Sequence, residues 1–174
     1  MIFNLFPLFK SIGASTPVNY SWHIEKIISF LKPFKLKMMN RNVETVKLIY
    51  EAFGKGDVPS IIDQLADDVQ WEQWADNSAQ KAGVPWMQSR PGKDGATEFF
   101  KVVGGLVIKD FQVLSIMGNE QQVAAEFIIE ADVPETGGYY RDEEMHLWTF
   151  NEQGKVTRLR HYTDTAKHIT AAKK

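Results

Sequence analysis

The chain has 174 residues, 44% hydrophobic and 24% charged, which suits one folded domain with its own core and argues against disorder throughout. It contains no cysteine, so disulfides, thiolate catalysis and Cys-ligated zinc or iron–sulfur centres are excluded. The net charge of −2 is unevenly spread: residues 1–40 carry five Lys and one Glu, net +4, leaving −6 on residues 41–174, an acidic balance that argues against nucleic acid as a partner.

The first 40 residues read as an N-terminal extension, distinct from a domain over residues 41–174. MIFNLFPLFKSIGAS opens on an apolar run, but it has no positive start, and Pro7 and Lys10 interrupt it. It falls short of the ~20 apolar residues that a membrane span needs. No membrane association is therefore expected, and the expected location is the cytoplasm. Trp22, Ile24, Ile27, Ile28 and Leu31 recur at helical spacing, predicting a short amphipathic helix over 21–34, with a loosely packed arm as its plain reading and a weak membrane-surface or partner-docking helix as the other. Met38 and Met39 precede the regular part of the chain, and one of them is the expected natural start.

From residue 42, Val43, Val46, Ile49, Tyr50 and Phe53 share a helical face, and Gly54 with Gly56 supplies a stop. Asp57 predicts an N-cap for a second helix with Pro59 in its first turn and Val58, Ile61, Ile62 and Leu65 as its buried stripe. VQWEQW then alternates, placing Val69, Trp71 and Gln73 on one strand face and Gln70, Glu72 and Trp74 on the other. The loop ADNSAQKAGVPWMQSRPG, with Trp86, is a candidate lid. Asp94 is expected to cap a third helix containing Phe99, Phe100 and Val103. The remainder predicts four antiparallel strands, LVIKDFQVLSIM, QVAAEFIIEAD, YYRDEEMHLWTF and KVTRLRHYT, followed by a helical tail. Strands in series without helices between them make the class α+β.

If Glu152 and Gln153 form the tip of the last hairpin, Asn151 opposes Gly154, His146 faces Leu159 and Glu144 faces His161. The even-numbered residues Asp142 to Phe150 then share one face with Leu159, His161 and Thr163, which places His146, Trp148 and His161 together. A one-residue slip would reverse every side chain.

Residues 41–74 (RNVETVKLIYEAFGKGDVPSIIDQLADDVQWEQW) and 146–164 (HLWTFNEQGKVTRLRHYTD) resemble the ketosteroid-isomerase-related, SnoaL-like branch of the nuclear transport factor 2-like superfamily, and the likeness spans about residues 41–168. It implies a cone-shaped, strongly bent antiparallel sheet, barrel-like, wrapped on three N-terminal helices around one pocket, and a homodimer. Matching FNEQGKV places His146 where ketosteroid isomerases hold an oxyanion-stabilising acid. Matching ADDVQWEQ places Gln73 at the general-base position, where a glutamine cannot abstract a proton. The helix-one tyrosine is displaced by one residue, since the family position falls on Ile49 and Tyr50 follows it. Polyketide cyclases of the SnoaL type are similar in pairing a pocket histidine with an acid from the last strands.

The candidate catalytic residues are accordingly His146, His161, Glu144 and Asp164, with Tyr50, Trp71, Gln73, Trp86 and Trp148 as pocket residues. A carboxylate opposite an imidazole favours the charged ring and fixes its tautomer, readying it for proton transfer near neutral pH. Each candidate also has a plainer reading: the histidines and tryptophans as packing residues, Asp164 as a helix cap, and Glu144 as a solvated strand end in the run Asp142–Glu144. His146 and His161 lack a spaced third ligand, so no metal is expected. Without a phosphate loop, GxSxG, HExxH or dinucleotide fingerprint, no cofactor is expected. The function expected is cofactor-free acid–base chemistry (isomerase, cyclase, dehydratase or hydrolase type) on an apolar, ring-containing small molecule. A non-catalytic binding or scaffold protein is the alternative, and a limonene-type epoxide hydrolase is disfavoured because no Asp, Arg, Asp trio falls on the pocket face.

Overall fold

In this computed structural model, Val43, Val46, Ile49, Tyr50 and Phe53 form the inward face of the last turns of helix α1 (Tyr20–Gly54), with Val46 and Ile49 fully buried. Burial of one such aliphatic side chain stabilises the fold by ~1.5–3 kcal/mol. The structure describes residues 20–73 and 76–173, and the expectations for residues 1–19 and Trp74 lie outside them. The chain divides into two units, Met1–Pro33 and Phe34–Lys174. In the first, residues 20–33 are helical, and Ile24, Ile27, Ile28 and Phe30 are exposed. Two helices were expected, over 21–34 and from 42, but both stretches fall within α1, because no Gly or Pro stands between Phe34 and Arg41 to end it. No helix among the described residues is long and apolar enough to cross a membrane.

In the second unit α1 stops at Gly54, and Gly56, at φ 68°, turns the chain. Asp57 accepts a hydrogen bond from the Ser60 backbone N–H and caps α2 (Val58–Ile62). There follow β1 (Leu65–Trp71), α3 (Ser78–Lys81), a 3₁₀ turn (Pro85–Met87), β2 (Arg90–Pro91) and α4 (Gly92–Val103). Asp94 lies in the first turn of α4; Pro91 occupies the cap position, so the expected side-chain cap is not formed. The strands β3 (Val107–Gly118), β4 (Gln122–Val133), β5 (Gly138–Phe150) and β6 (Val156–Tyr162) come next, and α5 (Thr165–Ala171) closes the chain.

The six strands form one sheet in the order β2-β1-β6-β5-β4-β3. The antiparallel run β3 to β6 is the meander predicted, and the class is α+β. The sheet is nonetheless mixed, because β1 pairs in parallel with β6, a long-range contact that no local pattern announces. Inner-face residues of β1, β4, β5 and β6, among them Trp71, Val123, Trp148 and Leu159, pack with Val46 and Ile49 of α1 and Ile61 of α2.

The register of the last hairpin differs from the expected one, yet the face assignment survives. Asn151 N–H bonds to the Lys155 carbonyl, so the loop is one residue longer than counted, and a bulge between Thr149 and Phe150 adds a second offset. His146 therefore pairs with His161 rather than Leu159, and Trp148 pairs with Leu159. Two odd shifts make an even one, and side chains alternate with period two.

Candidate functional site

Tyr140, Asp142, Glu144, Trp148 and Phe150 of β5 are all buried and point to one side of the sheet, with His146 of the same series partly buried. Glu144 and Asp142 are thus interior carboxylates, and their reading as a solvated strand end is corrected; Glu143 alone of that run is exposed. An isolated carboxylate would not stay charged there. Partners explain why these two do.

His161 on β6 lies between two carboxylates. Its Nε2 makes a short hydrogen bond to Glu144 Oε2, and its Nδ1 lies 3.4 Å from Glu72 Oε1. Burial alone would lower the pKa of the ring, but Glu144 and then Glu72 outweigh it and raise His161 to about 10. Burial likewise opposes the charge on Glu144, yet His161 and a hydrogen bond from His168 hold it well below the usual carboxylate range. His161 is an imidazolium at neutral pH.

Glu72 was expected on the face away from the pocket, and it is fully buried. The reason is local: Glu72 sits at φ 54°, the one positive φ of a non-glycine among the described residues, so the strand turns immediately after Trp71 and both neighbours point inward. The same kink carries Gln73 outward. Gln73 is exposed and does not line the pocket, which corrects its expected place at the base position.

A second chain of hydrogen bonds fixes His146. Trp148 Nε1–H donates to the Tyr50 hydroxyl at 3.3 Å, and that hydroxyl lies 2.9 Å from His146 Nδ1. Burial pushes the Tyr50 phenol up, so it keeps its proton and donates it. Nδ1 of His146 is then an acceptor, and its proton sits on Nε2. Burial, reinforced by the nearby His161 charge, lowers His146 well below its ordinary value. The ring expected to titrate near neutrality is instead a neutral donor, because burial and the His161 cation, with the two ring centroids 4.5 Å apart, outweigh the Glu144 carboxylate.

α5 closes the cluster from below. Trp86 Nε1–H donates to His168 Nδ1 at 2.8 Å, so His168 carries its proton on Nε2, which lies 2.8 Å from Glu144 Oε1. Asp142, Glu144 and His168 could by residue type hold a metal ion, since their ligand atoms lie within 4.8 Å of one another. The proton on His168 and the Lys167 ammonium, 2.6 Å from Asp142 Oδ1, already fill that role. The Asp164 carboxylate stands apart: it caps α5 through the Ala166 N–H, and only the Asp164 backbone N–H reaches the cluster, donating to Asp142 Oδ2 at 2.8 Å. Thr163, which donates to Asp142 at 2.7 Å, joins the cluster in its place.

The cavity beside these groups has a volume of about 70 Å³ and is lined by Tyr50, Trp71, Trp86, Phe127, Glu144, His146, Trp148 and His161 among others. Its wall is aromatic, with Trp71 edge-on to Trp148 and Trp86 stacked on Tyr140. The loop expected to be a lid brings Trp86 to the cavity wall and is tied down at several points. β2 pairs with β1, Asn77 caps α3, and Arg90 donates to the Pro85 carbonyl. Glu72 and His168 were missed in the sequence: no glycine marks the kink that turns Glu72 inward. For His168 a signal existed, since it lies one turn beyond the cap residue Asp164.

An α+β sheet with a buried carboxylate–imidazole array opening on a small apolar cavity defines the class, and comparison with known proteins agrees. The SnoaL-like domain model matches residues 46–159, and the chain belongs to that family. A nuclear transport factor 2-like protein from Burkholderia xenovorans LB400 superposes with TM-score 0.62 at 19% identity, covering 77% of this chain and 97% of that one. A putative polyketide cyclase from Xanthomonas campestris pv. campestris gives TM-score 0.58 at 18% identity over 78% and 98%. TerC co-crystallised with polyporic acid gives 0.57 at 23% over 72% and 93%. At these identities the likeness shows the fold. Comparison with curated protein sequences finds no match.

Proposed function

We propose that this protein is an enzyme performing cofactor-free acid–base chemistry on a small, oxygen-bearing, largely apolar molecule. The observation that carries the reading is the Trp148–Tyr50–His146 chain. It leaves His146 with a proton on Nε2, in a ring that lines the cavity beside the His161 imidazolium. Such a donor stabilises negative charge developing on a carbonyl oxygen, and a water-poor aromatic surround strengthens it. Glu144, a cavity-lining carboxylate, and Glu72, through His161, form the array across which a proton from carbon or oxygen is redistributed. The putative polyketide cyclase and the protein co-crystallised with polyporic acid among the structural neighbours support a small organic molecule as the ligand.

One observation favours a binding protein instead. Nδ1 of His146 is already an acceptor and Glu144 is engaged by two histidines, so no carboxylate or imidazole in contact with the cavity is an idle base. Incubating the protein in D2O with cyclohexanone and following loss of the α-proton signals by NMR separates the two readings. Acceleration over buffer that disappears in His146→Ala and Glu144→Gln is expected. Binding seen as shifted indole signals without acceleration would overturn the enzymatic reading and leave the binding one.

A further inference from the structure

The cavity takes only one compact group: its volume is about 70 Å³, against the several hundred Å³ typical of ligand sites. Outside it lies a groove of about 920 Å³ between the end of α1, α2, the end of α4 and strand β3. Tyr50, Phe53, Ile61, Phe100, Val103 and Phe111 line both spaces, so the groove adjoins the cavity across these side chains.

The floor of the groove comes from β3 by way of its two register irregularities. Strict alternation would send every second residue inward. The shifts between Ile108 and Asp110 and between Val113 and Ser115 each add one residue, so Ile108, Phe111, Val113 and Ile116 all face the groove at spacings of three, two and three. Four apolar side chains are thereby held on one face of a strand at the edge of the sheet. The two compartments also differ in kind. The cavity wall is mostly aromatic with its polar groups gathered at Glu144, His146 and His161, whereas Val58, Val103, Ile108, Val113 and Ile116 make much of the groove aliphatic.

The geometry points to a second binding compartment. The groove is a subsite for the aliphatic portion of an elongated carbonyl compound whose oxygen-bearing end enters the cavity and accepts a hydrogen bond from His146 Nε2. This rests on the proposed function for the cavity end, and adds the shape of the substrate: a compact oxygenated head with a long apolar tail. Adjacency to the cavity decides this occupant, because a molecule in the groove alone would leave the polar array unused.

A homologous series of 2-alkanones, from 2-butanone to 2-decanone, tests it by titration against indole and imidazole NMR signals. Wild-type affinity is expected to rise about threefold to fourfold per added methylene, the factor for burying a CH2 group. In Val113→Trp, at a position that lines the groove and not the cavity, the rise should stop while 2-butanone binds unchanged. Val58→Trp, from the opposite wall, serves as the second variant should the first not fold. An equal rise in wild type and variants overturns the subsite and leaves the cavity reading intact. If 2-butanone itself perturbs no signal of His146 or Trp148, the cavity reading fails and the subsite with it.

Discussion

Glu72 shows how much of the site hangs on single residues. A non-glycine at φ 54° carries a backbone cost, ~1–2 kcal/mol for the left-handed conformation, and here it turns a carboxylate toward an imidazolium. Replacement separates the two effects: Glu72→Gly is expected to be more stable than Glu72→Ala by about 1 kcal/mol in urea denaturation, because only glycine relieves the backbone. Equal stabilities would mean that the conformation is not strained. Tyr50 is the second such residue, since it both accepts from Trp148 and donates to His146. Tyr50→Phe should cost ~1–3 kcal/mol by leaving buried polar groups unpaired. It should also release His146 from a single tautomer, read from its ring nitrogen shifts; an unchanged tautomer would refute the role given to the phenol.

At the scale of elements, the site is held by parts distant in sequence. α5 brings His168 under Glu144, and its C-terminal end lies against β5 at Gly138, where a Cβ would overlap the Ala171 carbonyl. Backbone cannot yield as a flexible side chain does, so Gly138→Ala should displace α5 and cost ~1–3 kcal/mol. The Trp86 indole, which reports on His168, should change its fluorescence in the same variant. Asn77, whose side chain accepts from the Ala79 and Gln80 N–H groups, anchors the segment that leads to Trp86. Asn77→Ala is expected to cost ~1 kcal/mol as a lost cap, and a null effect in thermal denaturation would show that β2 and the Arg90–Pro85 contact anchor the loop without it.

For the whole molecule, the buried array ties stability to pH in a signed way. The pKa of His161 is raised from 6.5 to about 10 on folding, so its contribution is complete below pH 6.5, declines between 6.5 and about 10, and is lost above. Glu144, whose pKa is lowered, contributes above its unfolded value of 4.5 and loses that contribution as the pH falls. His146, also lowered, resists protonation in the fold, so stability falls further as the pH drops below 6.5. The expected Tm profile has its maximum near neutrality, and its alkaline decline should flatten in His161→Phe. A decline of the same size in that variant would place its origin elsewhere. The unit Met1–Pro33 displays exposed apolar residues along its helix, and removal of residues 1–38 is expected to leave cooperative unfolding of the remainder intact; a non-cooperative transition would show that the arm is part of the fold.

Period-two and helical patterns, turn residues and caps are local, and they were enough to place the α1 face from Val43, the Asp57 cap, the four-strand meander and the common face of Glu144, His146, Trp148 and His161. That face was legible even though the register was not, because the longer Asn151–Lys155 loop and the bulge at Thr149 offset each other by two residues. The tertiary structure alone decided the parallel pairing of β1 with β6, the inward turn of Glu72 in place of Gln73, the approach of His168 and the charge states. These depend on which distant groups meet in a low-dielectric interior: an imidazole between two carboxylates keeps its proton, and one buried beside that cation gives it up. No spacing along the chain encodes that distinction.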